Sequence, residues 1–336
     1  MNYDNKYDIR LAQIDDIVSI MNFINVYWKK GHILGTNRKL FEYEHVDGNK
    51  VNFLLAVDRT DNSIVGILGF ILASHNLTKL DVWTGIWKVK SGEMPLLGME
   101  MYKRLSGMIS ARSLLGVGDN QATTGFLLRK LTRTFNIWRM DHYYFLAKRE
   151  NYKLAKITHM PVYSNSSEVE TTALKLNKID DVKELVGIFQ CHEFPHKDLW
   201  YIEHRYFNHP LFKYHIYGLK RKQQKAIIIF RIQECNGSGA LRIVDYIGNQ
   251  NCFSGINKFI SDCLEIYNCE YADFYVHGFN KNCIMSAGFC ERTENDSNII
   301  PNYFSPYEQR NIEIYVSGNI NDGLFCKADG DQDRPN

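Results

Sequence analysis

The sequence predicts an α/β (α+β) protein of two tandem units, each a mixed, mostly antiparallel sheet flanked by helices. Three observations lead there. The chain has 336 residues, too many for one comfortable core and about right for two. Hydrophobic residues make up 45%, ordinary for a globular protein. The order of elements also restarts midway. Ile14-Asp15-Asp16-Ile17 and Ile179-Asp180-Asp181-Val182 each open an amphipathic helix after a short strand, and both halves close strand–helix–strand.

The elements follow from periodicity. Tyr7 to Ala12 alternates as a strand, and Ile14, Ile17, Val18, Met21, Ile24 and Trp28 form a helical stripe. Val51–Asp58, Ile64–Leu72 and Val82–Lys90 read as strands, with a turn at Asp61-Asn62-Ser63. A helix is expected from Pro95 to Leu105, where proline suits the first turn. A strand at Ile109–Gly116, a helix at Asn120–Leu131 and an aromatic strand at His142–Ala147 close this half. The domain boundaries expected are 1–160, a Ser/Asn-rich linker 161–171, and 172–320. The second half offers strands at 173–176, 226–233, 241–247, 271–276 and 312–316, and helices at 179–190, 256–267 and 280–287. The polar tail 321–336 is expected to be disordered.

Charge narrows the function. Forty basic and 38 acidic residues leave a net charge of +2, so no global grip on nucleic acid is indicated. No apolar run reaches the roughly 20 residues that span a bilayer, and Met1 to Arg10 lacks a signal-type segment. A cytoplasmic protein is expected. The eight cysteines, at 191, 235, 252, 263, 269, 283, 290 and 326, form no CxxC. They read as reduced, buried thiols, and no metal is expected.

In the first half, Ile9-Arg10-Leu11-Ala12 with Asp15-Asp16-Ile17, Ser63-Ile64-Val65-Gly66-Ile67-Leu68-Gly69, and Trp87-Lys88-Val89 before a helix-opening loop resemble the GNAT acyltransferase superfamily. In the second half, Asn280 through Ala287-Gly288-Phe289 resembles the GNAT helix that ends in Gly-Phe. The tandem arrangement is similar to bacterial N-acyltransferases that modify dTDP-linked amino-dideoxy sugars, as in anthrose-type and O-antigen synthesis. Shared features are Trp28-Lys29-Lys30-Gly31-His32-Ile33-Leu34, Ile86-Trp87-Lys88-Val89 and Pro301-Asn302-Tyr303-Phe304. The resemblance covers nearly the whole chain and implies acyl-CoA as co-substrate.

A CoA pyrophosphate needs several backbone N–H groups aimed at one point, which a helix N-terminus supplies. The family's Q/R-x-x-G-x-G/A loop corresponds here to Ser91-Gly92-Glu93-Met94-Pro95-Leu96. It is short of glycine, Pro95 lacks an amide donor, and Glu93 brings an unhelpful charge. It still fits better than Gly248–Gly255, so the donor is expected on Trp87, Lys88, Val89, Ser91, Gly92, Met94, Leu96 and Asn120 of the first half. The tyrosine general acid usual in the family is replaced by Leu128 in one half and Ile284 in the other. A thiolate with a pKa of about 8.5 leaves without much help.

The catalytic candidates are His32, His75 and Glu93. Either histidine, with an ordinary pKa of about 6.5, could take the proton of an attacking amine. Glu93 and Asp81 could hold that amine. Trp83 is a candidate sugar platform or a core residue. Trp200 to Tyr214 interleaves aromatics with cations, which suits a nucleotide held by Tyr201, Tyr206 and Tyr214 and also suits a hydrophobic inter-domain seam.

The function expected is N-acyl transfer from acyl-CoA to the amine of a nucleotide-linked (dTDP) amino-dideoxy sugar, for surface polysaccharide such as lipopolysaccharide. A Fem-type aminoacyl transferase and a catalytically silent CoA or sugar-nucleotide sensor are the alternatives. Nucleic acid and membrane are not expected partners, and a homodimer is left open.

Overall fold

The computed structural model describes residues 2–118, 120, 125–132, 135–161, 169–185 and 187–335. It divides into two compact units, residues 1–116 with 334–336, and residues 117–333. The expected boundary lay at 161–171, of which residues 162–168 fall outside the described residues.

The first unit runs β1 (Tyr7–Ala12), α1 (Ile17–Phe23), α2 (Ile33–Thr36), α3 (Arg38–His45), β2 (Val46–Asp47), β3 (Lys50–Asp58), β4 (Ile64–Leu72), β5 (Asp81–Val89), α4 (Leu97–Ile109) and β6 (Ser113–Val117). The strands lie in the order β1-β3-β4-β5-β6, with β2 on β3. Neighbours are antiparallel except β5 and β6, which run parallel because α4 crosses between them. The helix expected over 14–28 divides into a 3₁₀ turn, α1 and a π-helical turn at Ile24–Trp28. Ile17, Ile20, Phe23 and Ile24 are buried against Phe53, Leu55 and Ile67, while Val18 and Trp28 of the expected stripe are exposed.

Helix α4 covers the other face. A side chain at Gly66 of β4 would press on the Met101 sulfur at 2.9 Å, and one at Gly98 would meet the Trp87 indole nitrogen at 3.0 Å. Glycine at 98 therefore lets the helix lie flat on the Trp87 ring, which stacks on Tyr102 at 5.3 Å. The helix begins at Leu97 rather than Pro95 and extends to Ile109.

The second unit holds α5 (Phe126–Leu131), β7 (Asn136–Arg139), β8 (Asp141–Leu146), β9 (Thr172–Lys175), α6 (Ile179–Lys183), α7 (Leu199–Ile202), β10 (His215–Arg221), β11 (Gln224–Cys235), β12 (Ser238–Gly248), α8 (Asn257–Ile266), β13 (Cys269–His277), α9 (Lys281–Ser286), β14 (Cys290–Glu291), β15 (Tyr303–Phe304), β16 (Tyr307–Glu308), β17 (Tyr315–Gly318) and β18 (Phe325–Cys326). Its main sheet is ordered β14-β8-β13-β12-β11-β10-β9, with β18 on β13. Again one neighbouring pair, β12 and β13, is parallel, and α8 makes the crossover. Phe230, Leu241, Ile243, Phe253, Ile260 and Phe274 form the core between sheet and helices.

Two expectations are corrected. The tail is ordered: Leu324, Phe325, Cys326, Ala328, Asp329 and Asp333 are buried. Its aspartates read as solvated only because their cationic partners lie far away in sequence. The cysteines are free, and six are buried, but Cys191 is exposed and Cys235 half-buried. Burial pushes the Cys263 and Cys269 thiols up to about 12, which makes them inert.

Candidate functional site

In the first unit β5 and β6 pair over only three rungs, Asp81↔Ser113, Val82↔Leu114 and Trp83↔Leu115. Beyond them β5 continues to Val89 without β6, so the sheet opens. The Thr84 hydroxyl donates to the Leu115 carbonyl at 3.2 Å where the strands separate. On its other edge β5 bulges: Leu68↔Trp87 and Phe70↔Thr84 leave Gly69 opposite both Gly85 and Ile86. Such a bulge takes a residue out of the ladder and turns its backbone groups to other use.

Asp81 anchors the closed end. Its buried carboxylate accepts from Arg112 at 3.0 and 2.5 Å and from the Ser113 hydroxyl at 2.6 Å. That structural clamp replaces the expected role of holding an amine.

The loop after β5 is fixed from beneath. The Tyr7 hydroxyl donates to Glu93 at 2.8 Å and accepts from the Met94 amide at 3.0 Å. Lys6 donates to the same Glu93 oxygen at 2.9 Å, and Tyr3 to the Pro95 carbonyl at 2.8 Å. The hydrogen bond to Glu93 shifts the Lys6 ammonium upward. Glu93 therefore serves as a loop fastener with its charge matched by Lys6, in place of the expected role of holding the acceptor amine. Gly92 (φ +89°) and Leu96 (φ +62°) take the left-handed turns that bring the chain into α4. Glycine does so at no steric cost, whereas leucine is strained there. Ser91, Gly92 and Leu96 are exposed, and Trp87, Lys88, Val89 and Met94 half-buried, around the start of α4. Asn120 lies in the second unit and is exposed.

The two histidines differ. His32 is 7% exposed, and its Nδ1 accepts from the Leu34 amide at 3.2 Å, capping α2. His75 is open to solvent, with Nε2 3.1 Å from Asp47 Oδ2. It follows β4 at the end of the sheet where β5 begins, opposite the end that carries the 90–96 loop. A carboxylate bonded to imidazole orients the ring. The sequence offers both histidines but not Asp47, because the residues flanking His75 carry no trace of β2.

The second-unit candidates are core residues. Trp83, of the first unit, is likewise fully buried. Tyr201, Tyr206 and Tyr214 are 2%, 3% and 8% exposed. Tyr206 donates to Asp245 at 2.5 Å and Tyr214 to Asp333 at 3.0 Å. Their ring faces are taken by one another in edge-on contacts of 5.8 and 5.1 Å. They have no face left for a nucleobase. The second unit also opens between its parallel strands, whose last rung is Ile243↔Phe274. There the space is filled by β18, paired with Val276 and His277, and by Ala328, whose amide donates to the Val244 carbonyl at 2.8 Å.

Leu128 and Ile284, expected in place of a tyrosine acid, are both buried. Among the described residues no cluster of three or more His, Cys, Asp or Glu could hold a metal ion, and no helix is long and apolar enough to cross a membrane.

No protein-family profile matches this chain, and no curated protein matches it. Solved structures do. A GCN5-related N-acetyltransferase from Anabaena variabilis ATCC 29413 is similar with a TM-score of 0.56 and 11% identity, over 93% of this chain and 72% of that one. The chain therefore has the two-sheet α/β fold of tandem GCN5-related N-acetyltransferase-like domains. Looser likenesses are a GCN5-related N-acetyltransferase from Sphaerobacter thermophilus (TM-score 0.42, 10% identity, 93% of this chain and 94% of that one) and the Saccharomyces cerevisiae N-myristoyltransferase with bound myristoyl-CoA (0.44, 9%, 95% and 82%).

Proposed function

We propose that the chain is an acyl-CoA-dependent N-acyltransferase with its donor site in the first unit. The observation that carries this reading is the opening of β5 from β6 beside a bulge, with an ordered loop leading into α4. Pantetheine would lie along β5 beyond Trp83, and the pyrophosphate would meet the amides at the start of α4. The corresponding opening in the second unit is filled by its own chain, which supports a single donor site.

An acceptor amine would attack the thioester carbonyl carbon. The C–N bond forms, the C–S bond breaks, and CoA leaves as a thiolate. A backbone N–H of β5 at Gly85–Ile86 would stabilise the oxyanion. His75, oriented by Asp47, would take the amine proton. The bulge lies between the donor loop at one end of β5 and His75 at the other, which is the order in which donor, reacting carbon and acceptor must follow.

The acceptor we propose is the amine of a nucleotide-linked amino-dideoxy sugar, on the strength of the residue resemblance. The test is a CoA titration followed by thiol release from acetyl-CoA with dTDP- and UDP-linked amino sugars. CoA at about 100 times its Kd should add roughly 2.7 kcal/mol of stability. Binding of CoA without thiol release for any amine would favour the silent sensor, and no binding at all would remove the donor site.

A further inference from the structure

Residues 324–333 lie in the second unit as a ligand lies in a receptor. Their backbone is read first. β18 pairs antiparallel with β13 at Val276↔Cys326 and His277↔Phe325. The Leu324 amide donates to the Phe194 carbonyl at 2.9 Å, and the Ala328 amide to Val244 at 2.8 Å. The Arg205 guanidinium donates to the carbonyls of Ala328, Gly330 and Asp333, at 3.3, 3.5 and 2.8 Å.

The side chains are read next, by groups that belong to the body of the unit. Asp333 receives Arg231 Nε at 2.9 Å and Nη2 at 2.8 Å, and the Tyr214 hydroxyl at 3.0 Å. Asp329 lies 2.7 Å from Lys197, which it shares with Asp245, also at 2.7 Å. Lys327 donates to Asn302 and lies over the Tyr275 ring at 5.4 Å. Two carboxylates thus meet two buried cations, Lys197 and Arg231, while a third, Arg205, holds the backbone, and each cation is at most 9% exposed. The fit is close: a cavity of about 20 Å³ lined by His192, Lys197, Tyr246 and Leu324 has room for about one water.

From this we infer that the opening between β12 and β13 is a binding cleft for an extended acidic peptide, occupied in this chain by residues 324–333. A peptide added as a strand gains affinity from main-chain bonds and specificity from side-chain pockets. Here the pockets are the Arg231–Tyr214 clamp for Asp333 and the Lys197 site for Asp329. Gly278 belongs to the cleft as well. It adopts φ +77°, and a side chain there would meet the Gly323 carbonyl at 2.1 Å, so only glycine lets the segment enter.

The inference does not depend on the acyl-transfer reading, and its test uses no CoA. A protease site is inserted between the exposed Asn321 and Asp322 of the full chain, which is folded first and then nicked. The released segment should remain bound on native mass spectrometry, and excess fluorescein-labelled peptide 322–336 should exchange into its place. A labelled peptide carrying D333N should compete at least tenfold more weakly. Loss of the nicked segment without competitor, failure of the labelled peptide to exchange, unfolding when the segment leaves, or equal competition by the D333N peptide would each overturn the cleft.

Discussion

Arg242 and Asp273 stand opposite each other on the parallel strands of the second unit and form a bidentate ion pair, at 3.0 and 2.5 Å, with both side chains buried. The pair lies one rung before the strands separate. Arg242 also donates to the Asn302 carbonyl and side-chain oxygen at 2.7 Å. The guanidinium beside it holds the Asp273 carboxyl far below the usual range, against the opposing effect of burial.

Removing one partner leaves the other charge buried. Asp273→Asn should cost about 3–5 kcal/mol in urea unfolding, whereas Arg242→Met with Asp273→Leu should recover most of that loss. A double variant no more stable than the single would show that the pair itself, rather than avoidance of a lone charge, stabilises the crossover.

Acid should destabilise the second unit through His142. It is fully buried, stacked on Tyr275 at 3.8 Å, and burial lowers its pKa to about 4 despite Asp273 nearby. The unfolded chain takes up a proton near pH 6.5 and the folded chain does not, so stability is complete above that pH and falls between about 6.5 and 4. His209, lowered to about 3 mainly by burial, adds in the same direction. Asp329, raised to about 6 chiefly by burial, acts oppositely, because the folded chain holds its proton longer. Chemical-denaturation curves from pH 7.5 to 4.5 should show the net loss, and His142→Phe should flatten it.

His75→Asn should lower the acyl-transfer rate by roughly 10²- to 10⁴-fold if the imidazole is the general base. Asp47→Asn should lower it less, since it loses only the carboxylate that orients the ring. Thermal stability should not change for either, since the pair is solvent-exposed. His32→Asn keeps a capping side chain on α2 and should lose less than tenfold. The reverse ranking would restore His32.

Tyr7→Phe removes one hydroxyl that fastens both Glu93 and the Met94 amide. An unsatisfied buried partner costs about 1–3 kcal/mol. Part of that should appear as a KM for acyl-CoA raised roughly tenfold with kcat nearly unchanged, because loop order is needed for donor binding rather than chemistry. An unaltered KM would remove the loop from the donor site.

Tyr206→Phe and Tyr214→Phe should lower stability by about 1–3 kcal/mol, since each hydroxyl serves a buried carboxylate. Neither should alter the acceptor's KM. A selective rise in that KM would return the aromatic stretch to substrate binding.

Much of the architecture was legible in the residues. Apolar runs between turn residues located β3, β4, β5, β11 and β12, and the paired aspartates marked both first helices, because such runs and helix starts are local properties of the chain. The passage from strand to helix at Ser91–Leu96 was legible too, from Gly92 and Pro95 between the two elements. Trp200 to Tyr214 misled because composition does not say which way a ring faces. The same aromatics and cations that would suit a nucleotide instead close on Asp245 and Asp333.

What the sequence determined by itself, then, is the two-unit α/β plan and the succession of elements, since those follow from spacing between near neighbours. The tertiary structure alone decided which charges meet. Arg231 and Asp333 lie 102 residues apart, Lys6 and Glu93 are separated by 87, and Asp47 reaches His75 only because antiparallel pairing sets the start of β3 beside the end of β4. Burial makes the Arg231–Asp333 pairing obligatory, because either charge left alone there would lack water, and the fold that buries the pair is also what brings it together.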